Sequence, residues 1–194
     1  MKNRAVFFDR DGTLNEDPGY LGNPLDLVLF EDAGYVLASL KNDYHFKLIV
    51  VSNQSGIDRG LLTQADVISV NDEINKRLLK YNVMIDAFYY CPFHPEISGA
   101  EKSICRKPSP KMIFDASKDH DIDLSKSYLI GDSASDIEAG INAGVKSIIV
   151  MSGNGAKSIS ILHKENIFPS FVADNLTAAF KFIINDFSGE NFSD

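Results

Sequence analysis

Five short apolar runs, rich in β-branched and aromatic residues, alternate along the chain with longer segments of helical period. The runs cover residues 5–8, 46–52, 85–90, 127–130 and 146–150, and a sixth, weaker one covers 170–172. None of the five alternates apolar with polar residues, so each is expected to be buried on both faces. Strands of that kind belong in a parallel sheet sandwiched between helices. The fold class is therefore α/β, built on a mainly parallel central sheet. With 194 residues, 44% of them hydrophobic, the chain has enough apolar material for one substantial core. Residues 1–186 are expected to form a single domain, and the polar, acidic residues 187–194 a flexible tail.

Helix signals fill the gaps between the runs. Residues 33–41 read as a helix, and Thr63 opens a longer one to about residue 81. There Thr63-Gln64-Ala65-Asp66 resembles a capping box whose acid is one methylene short. Ser109-Pro110 reads as an N-cap followed by proline at the first helical position, starting a helix to residue 119. The segment 134–143 is a further helix, closed by Gly144. Helices over 156–165 and 176–185 complete the set. Two connections are unusually long: 14–32, and 91–108. Long loops in compact domains commonly serve as lids or binding loops.

In parallel α/β sheets, ligands bind beyond the carboxyl ends of the strands. Polar residues cluster at those positions here. The first strand ends in Asp9 and Asp11, within "DRDGT", and the second in Ser52, Asn53, Gln54 and Ser55, within "SNQSG". Arg106 and Lys107 precede the Ser109 helix in "CRKPSP", and the fourth strand ends in Asp132 and Asp136, within "GDSASD". Each cluster alone has a plainer explanation: a turn, a helix cap or a solvated charge. Together they fit phosphoryl transfer. Asp9 would attack phosphorus as a nucleophile, and Asp11 would protonate the leaving oxygen and then activate water. Ser52 and Lys107 would stabilise the transferring phosphoryl group, and Arg106 would grip a phosphate. Acids this close need a hard cation, and oxygen ligands suit Mg²⁺.

In order and spacing, "DRDGT", "SNQSG", "RKP" and "GDSASD" resemble the four motifs of the haloacid dehalogenase superfamily of phosphatases. The resemblance spans Arg4 to about Gly155. It is closest to the branch holding the heptose 1,7-bisphosphate phosphatases and the histidinol-phosphate phosphatase domains. It implies a three-layer Rossmann-like fold with a small loop-type cap. It also implies Mg²⁺ held by Asp9, Asp11 and Asp132, with Asp136 in support. The catalytic positions carried over are Asp9, Asp11, Ser52 and Lys107. Those for substrate are Asp17, Pro18, Gly19, Tyr20, Asn53, Gln54, Ser55 and Arg106. The implied activity is removal of the C7 phosphate of D-glycero-D-manno-heptose 1,7-bisphosphate, through an aspartyl-phosphate. Histidinol phosphate is the rival substrate, and a non-catalytic phosphosugar-binding domain the rival class.

Two departures from that branch stand out. Its zinc loop carries Cys-x-His and Cys-x-Cys. Phe93 and Ser103 replace two of the ligands here, so Cys91 and Cys105 remain and a zinc site is not expected. Ser133 stands where many heptose bisphosphatases have a lysine. A net charge of -8 argues against nucleic-acid and membrane partners. The partner expected is a small phosphorylated substrate, and the chain is expected to act as a monomer. Two cysteines are too few for a disulfide scaffold. A reducing cytoplasm is the simplest setting, with both thiols as small buried groups. "MKNR" leads directly into a strand rather than into a signal sequence.

Overall fold

The structure is a computed structural model that describes residues 2–191. Six strands form one sheet: β1 (Ala5–Phe8), β2 (Lys47–Asn53), β3 (Ala87–Cys91), β4 (Tyr128–Gly131), β5 (Lys146–Val150) and β6 (Phe171–Ala173). Their order is β3-β2-β1-β4-β5-β6, and every pairing is parallel. The chain winds outward from β1 to β3, then returns to the other side of β1 to lay down β4. Strand order therefore reverses between β1 and β4, which opens a crevice at their carboxyl ends.

The strands divide their side chains between two cores, as runs buried on both faces must. Val6 and Phe8 face one side, with α1 (Ala33–Asn42), α2 (Gln64–Leu78) and α7 (Leu176–Asn191) packed over them. Ala5 and Phe7 face the other, under α4 (Lys111–Asp119) and α5 (Ala134–Ala143). All four of these strand residues are fully buried. Burying a side chain such as Phe7 or Phe8 stabilises the fold by roughly 1.5–3 kcal/mol. A small third cluster joins Ile137 and Ile149 to Leu162 on α6 (Gly155–Lys164).

Local signals place most boundaries. Thr63 and Asp66 form the reciprocal capping box that starts α2, so aspartate suffices where glutamate is usual. A 3-10 turn over Leu79–Tyr81 extends α2 to the expected end. Gly144 closes α5 at φ +74°. α4 starts one residue later than expected: Pro110 is the cap, and Ser109 Oγ accepts from the Lys111 N–H at 3.3 Å. β3 begins two residues late, because the Asn75 side chain takes the Ile85 N–H at 2.8 Å.

The expected tail at 187–194 is corrected over its first part. α7 runs on to Asn191, because Phe187 still has a surface to cover. Its ring packs edge-on to Phe46, 5.7 Å between centroids, and the Arg4 guanidinium lies 4.2 Å from its centre. The rest of that expectation, 192–194, lies outside the described residues.

Both long connections are packed. In 14–32, Leu14, Leu21 and Leu27 are buried, and Glu16 and Phe30 close backbone hydrogen bonds with Val28 and Leu14. In 91–108, α3 (Pro95–Ser98) precedes a 3-10 turn over Lys102–Cys105. The Asp58 carboxylate ties this segment to the loop after β2, accepting from the His94 N–H at 2.8 Å and from Ser98 Oγ at 2.6 Å. Cys91 and Cys105 form a disulfide, which corrects the expectation of two free thiols. Fourteen positions apart in sequence, they meet because β3 and the 3-10 turn bring their Cα atoms within 5.4 Å. The pairing also removes the argument from free cysteines for a reducing compartment. Among the described residues, no helix is long and apolar enough to cross a membrane.

Candidate active site

Asp9 follows β1, and its backbone N–H donates to the Ile130 carbonyl at 2.9 Å, which extends the β1–β4 ladder by one step. That bond sets Asp9 at the point where strand order reverses. Lys107 reaches it from the far side of β2. Its ammonium lies 2.8 Å from Asp9 Oδ1 and 2.5 Å from Asp136 Oδ1, and it donates a hydrogen bond to the Val51 carbonyl at 2.7 Å. Lys107 is 3% exposed and Asp136 is fully buried. Burial alone would lower the Lys107 pKa. Asp136 and Asp9 outweigh it and hold the ammonium charged, well above its ordinary range.

Asp132 follows β4 and is also buried. Its Oδ2 accepts from the Asn154 backbone N–H at 2.7 Å and from the Asn154 amide at 3.3 Å. Gly12, at φ +82°, and Gly153, at φ +53°, crowd the same oxygen: a Cβ on either would come within 2.3 Å of it. Only a glycine backbone admits so close an approach. Asp136 serves two elements. Its Oδ2 accepts from the Ser133 N–H at 2.9 Å and from Ser133 Oγ at 2.6 Å, capping α5, while Oδ1 faces Lys107.

Carboxylate oxygens of Asp9, Asp132 and Asp136 lie within 4.8 Å of one another. Burial pushes the Asp9 pKa up to about 7, against the pull of Lys107, with Asp136 and Asp132 adding to the rise. Asp132 goes up to about 6, again chiefly through burial, opposed by the Asn154 N–H. Three acids facing one ammonium leave negative charge unmatched, and every free donor is a hard oxygen. That donor set fits Mg²⁺.

The carboxylate of Asp11 does not join this cluster. It accepts from Arg10 Nη2 at 2.9 Å, from the Asn15 amide at 2.9 Å and from the Gln54 amide at 2.9 Å. Two residues expected at the substrate also engage protein groups. Asn53 clamps the Lys107 backbone, accepting from its N–H at 3.0 Å and donating to its carbonyl at 3.2 Å. Gln54 bridges Asp11 and Ser52 Oγ, 2.9 Å from each. A side-chain amide matches a backbone peptide in donor and acceptor, and that lets Asn53 hold Lys107 at both ends.

A cavity of about 370 Å³ opens over these groups, a size suited to a small ligand. Asp9, Asp11, Ser52, Lys107 and Asp132 line it, together with Asn53, Gln54, Ser55, Asp17, Gly19, Tyr20 and Arg106. Of the expected substrate residues, Pro18 does not reach the wall. Arg106 Nη1 is buried there and has no hydrogen-bond partner among the described residues. Burial first, and then nearby Arg59, lower the Arg106 pKa from its ordinary value, as expected of a cation short of anions. Ser133 and Ser135 also face the cavity, their hydroxyls 2.8 Å apart.

Sequence reasoning missed Asn154 and Arg10. Asn154 follows β5 in "SGNG", a strand-end polar cluster like the four already counted. Arg10 lies inside the first motif but is 1% exposed, and nothing in its spacing marks it as buried.

Comparison with known proteins gives the same lineage. A family described as HAD-hydrolase-like matches residues 104–179. The D-glycero-D-manno-heptose-1,7-bisphosphate 7-phosphatase of Chlorobaculum tepidum is 37% identical over 185 residues, covering 91% of this chain and 92% of the relative. The D-glycero-alpha-D-manno-heptose-1,7-bisphosphate 7-phosphatase of Burkholderia mallei is 39% identical, covering 82% and 86%. Among solved structures, the D,D-heptose 1,7-bisphosphate phosphatase of B. bronchiseptica, complexed with magnesium and phosphate, superposes with a TM-score of 0.83. That match has 27% identity and covers 94% of this chain and 99% of the other. The chain belongs to the haloacid dehalogenase superfamily of phosphatases, on the branch of the heptose-bisphosphate 7-phosphatases.

Proposed function

We propose that the chain hydrolyses the C7 phosphomonoester of D-glycero-D-manno-heptose 1,7-bisphosphate through an aspartyl-phosphate on Asp9. A free Asp9 oxygen attacks phosphorus as the bond to the sugar oxygen breaks, and Asp11 supplies that oxygen's proton. Asp11 then takes a proton from water, whose oxygen attacks the acyl-phosphate, releasing phosphate and restoring the Asp9 carboxylate. Lys107 faces the charge that accumulates on the transferring group, and Ser52 adds a hydroxyl donor. Asn53 and Gln54 hold Lys107, Ser52 and Asp11 in place. Asp9 and Asp132, supported by Asp136, would hold Mg²⁺, which offsets the repulsion between the carboxylates and the incoming phosphate when bound.

One observation carries the choice of substrate. The buried, unpartnered Nη1 of Arg106 lies in the wall of the cavity that holds Asp9 and Lys107. An unsatisfied buried guanidinium N–H is costly, and a second phosphate is the ligand that satisfies it. The names of the matched relatives agree. Histidinol phosphate has one observation in its favour: Asp17 lines the same cavity and would suit a cationic substrate. Side-by-side phosphate release from heptose 1,7-bisphosphate and histidinol phosphate decides between the two. The bisphosphate should have the higher kcat/KM, and a preference for histidinol phosphate would overturn the choice.

A further inference from the structure

Arg10 is among the largest fully buried side chains of the protein, yet it carries a permanent charge. Its partners explain why it can be there. Nε lies 3.1 and 3.2 Å from the two oxygens of Asp11, and Nη2 lies 2.9 Å from Oδ2. Nη1 donates to Asn71 Oδ1 on α2 at 3.2 Å. The fork therefore grips the carboxylate with two nitrogens and is itself anchored to a helix. Asp11 keeps a 19% exposed side chain that faces the cavity.

We infer that Arg10 is a positioning residue that sets the direction of the Asp11 carboxylate for proton transfer to the leaving oxygen. The inference rests on the reading of Asp11 as the acid and base. A short aspartate at a turn has several rotamers, and proton transfer needs the donor within about 3 Å of its target. Two-pronged pairing, joined by the Asn15 and Gln54 amides at 2.9 Å each, holds one orientation, because rotating Asp11 breaks both prongs at once. It would also strip a buried guanidinium of its counter-charge, which is strongly unfavourable. Displacing a reacting group by about 1 Å can cost on the order of 100-fold in rate.

Leaving-group dependence separates positioning from general structural support. A sugar alkoxide departs slowly unless protonated, whereas p-nitrophenolate departs without a proton. The experiment measures kcat/KM for a sugar monophosphate and for p-nitrophenyl phosphate in wild type and in Arg10→Met, Arg10→Lys, Asn71→Ala and Asp11→Asn. Arg10→Met should lower the sugar-to-aryl ratio by about tenfold or more, within the range of general acid catalysis. Arg10→Lys should recover part of that loss, since it keeps the charge but not the fork. Asn71→Ala should lower the ratio more mildly, and it serves as the test if Arg10→Met does not fold. Equal losses on both substrates for the Arg10 and Asn71 variants, with Asp11→Asn still lowering the ratio, would overturn the inference alone. An unchanged ratio in Asp11→Asn would overturn the reading of Asp11, and the inference with it.

Discussion

The ammonium of Lys107 lies 2.8 Å from Asp9 Oδ1, and the lysine that carries it is almost wholly buried. Residues nearly a hundred positions apart thus bring opposite charges together at the carboxyl edge of a parallel sheet. Asp9, Asp136 and the Val51 carbonyl take its three N–H donors, which fixes its positive charge beside Asp9. Replacing it by methionine should lower kcat by roughly 10²–10³-fold, the scale for losing one preorganised charge at a reacting centre. Asn53→Ala should lower kcat in the same sense but by less, because the ammonium remains while its backbone clamp is lost. Steady-state kinetics on one substrate check both, and a loss confined to KM would contradict the assignment.

Metal and pH should act on stability together. Asp9 and Asp132 have pKa values raised in the fold to about 7 and about 6. The folded state thus binds their protons more tightly than the unfolded chain. Stability from these groups is present at acid pH and lost as pH rises from the unfolded carboxylate value, about 3.9, through the folded ones. Mg²⁺ held as proposed by Asp9 and Asp132 would bind the ionised carboxylates and should reverse that loss. Thermal unfolding with and without Mg²⁺ should show a larger Tm increase near pH 8 than near pH 5. An equal increase at both would mean the cation does not bind these acids.

Arg106 should fail differently from Lys107. On the proposed reading it grips a phosphate that does not react, in ground state and transition state alike, so Arg106→Ala should mainly raise KM. The rise should be about tenfold or more for a sugar bisphosphate, on the scale of a lost charged hydrogen bond, and small for p-nitrophenyl phosphate. Equal effects on the two would assign Arg106 to the reacting phosphate and remove the support for a bisphosphate.

The parallel sheet, its strand ends and the gathering of Asp9, Lys107, Asp132 and Asp136 were legible in the sequence. Each rests on a local signal: a run buried on both faces, a polar cluster where such a run stops, or, for Lys107, a basic pair just ahead of a helix. What the sequence did not disclose depends on side-chain direction across the fold. Asn53 and Gln54 sit in the right motif, yet their amides turn to Lys107, Asp11 and Ser52. Asp11 was expected to share the cation with Asp9, and its carboxylate turns to Arg10 instead. Arg10 itself carries no sequence signal of its burial, and arginine is seldom fully buried. The disulfide was missed because only the fold brings residues 91 and 105 together, and the end of α7 because Phe187 finds its partner, Phe46, across the core.

The central claim is that Asp9 is the group that receives the phosphate. Enzyme quenched in acid during turnover with Mg²⁺, then digested and analysed by mass spectrometry, should carry a phosphoryl group on the peptide containing Asp9. Asp9→Asn should keep the fold but show neither adduct nor turnover, because an amide of the same shape does not attack phosphorus. A phosphoryl group on another residue, or an Asp9→Asn variant that still turns over at a substantial fraction of the wild-type rate, would contradict the mechanism.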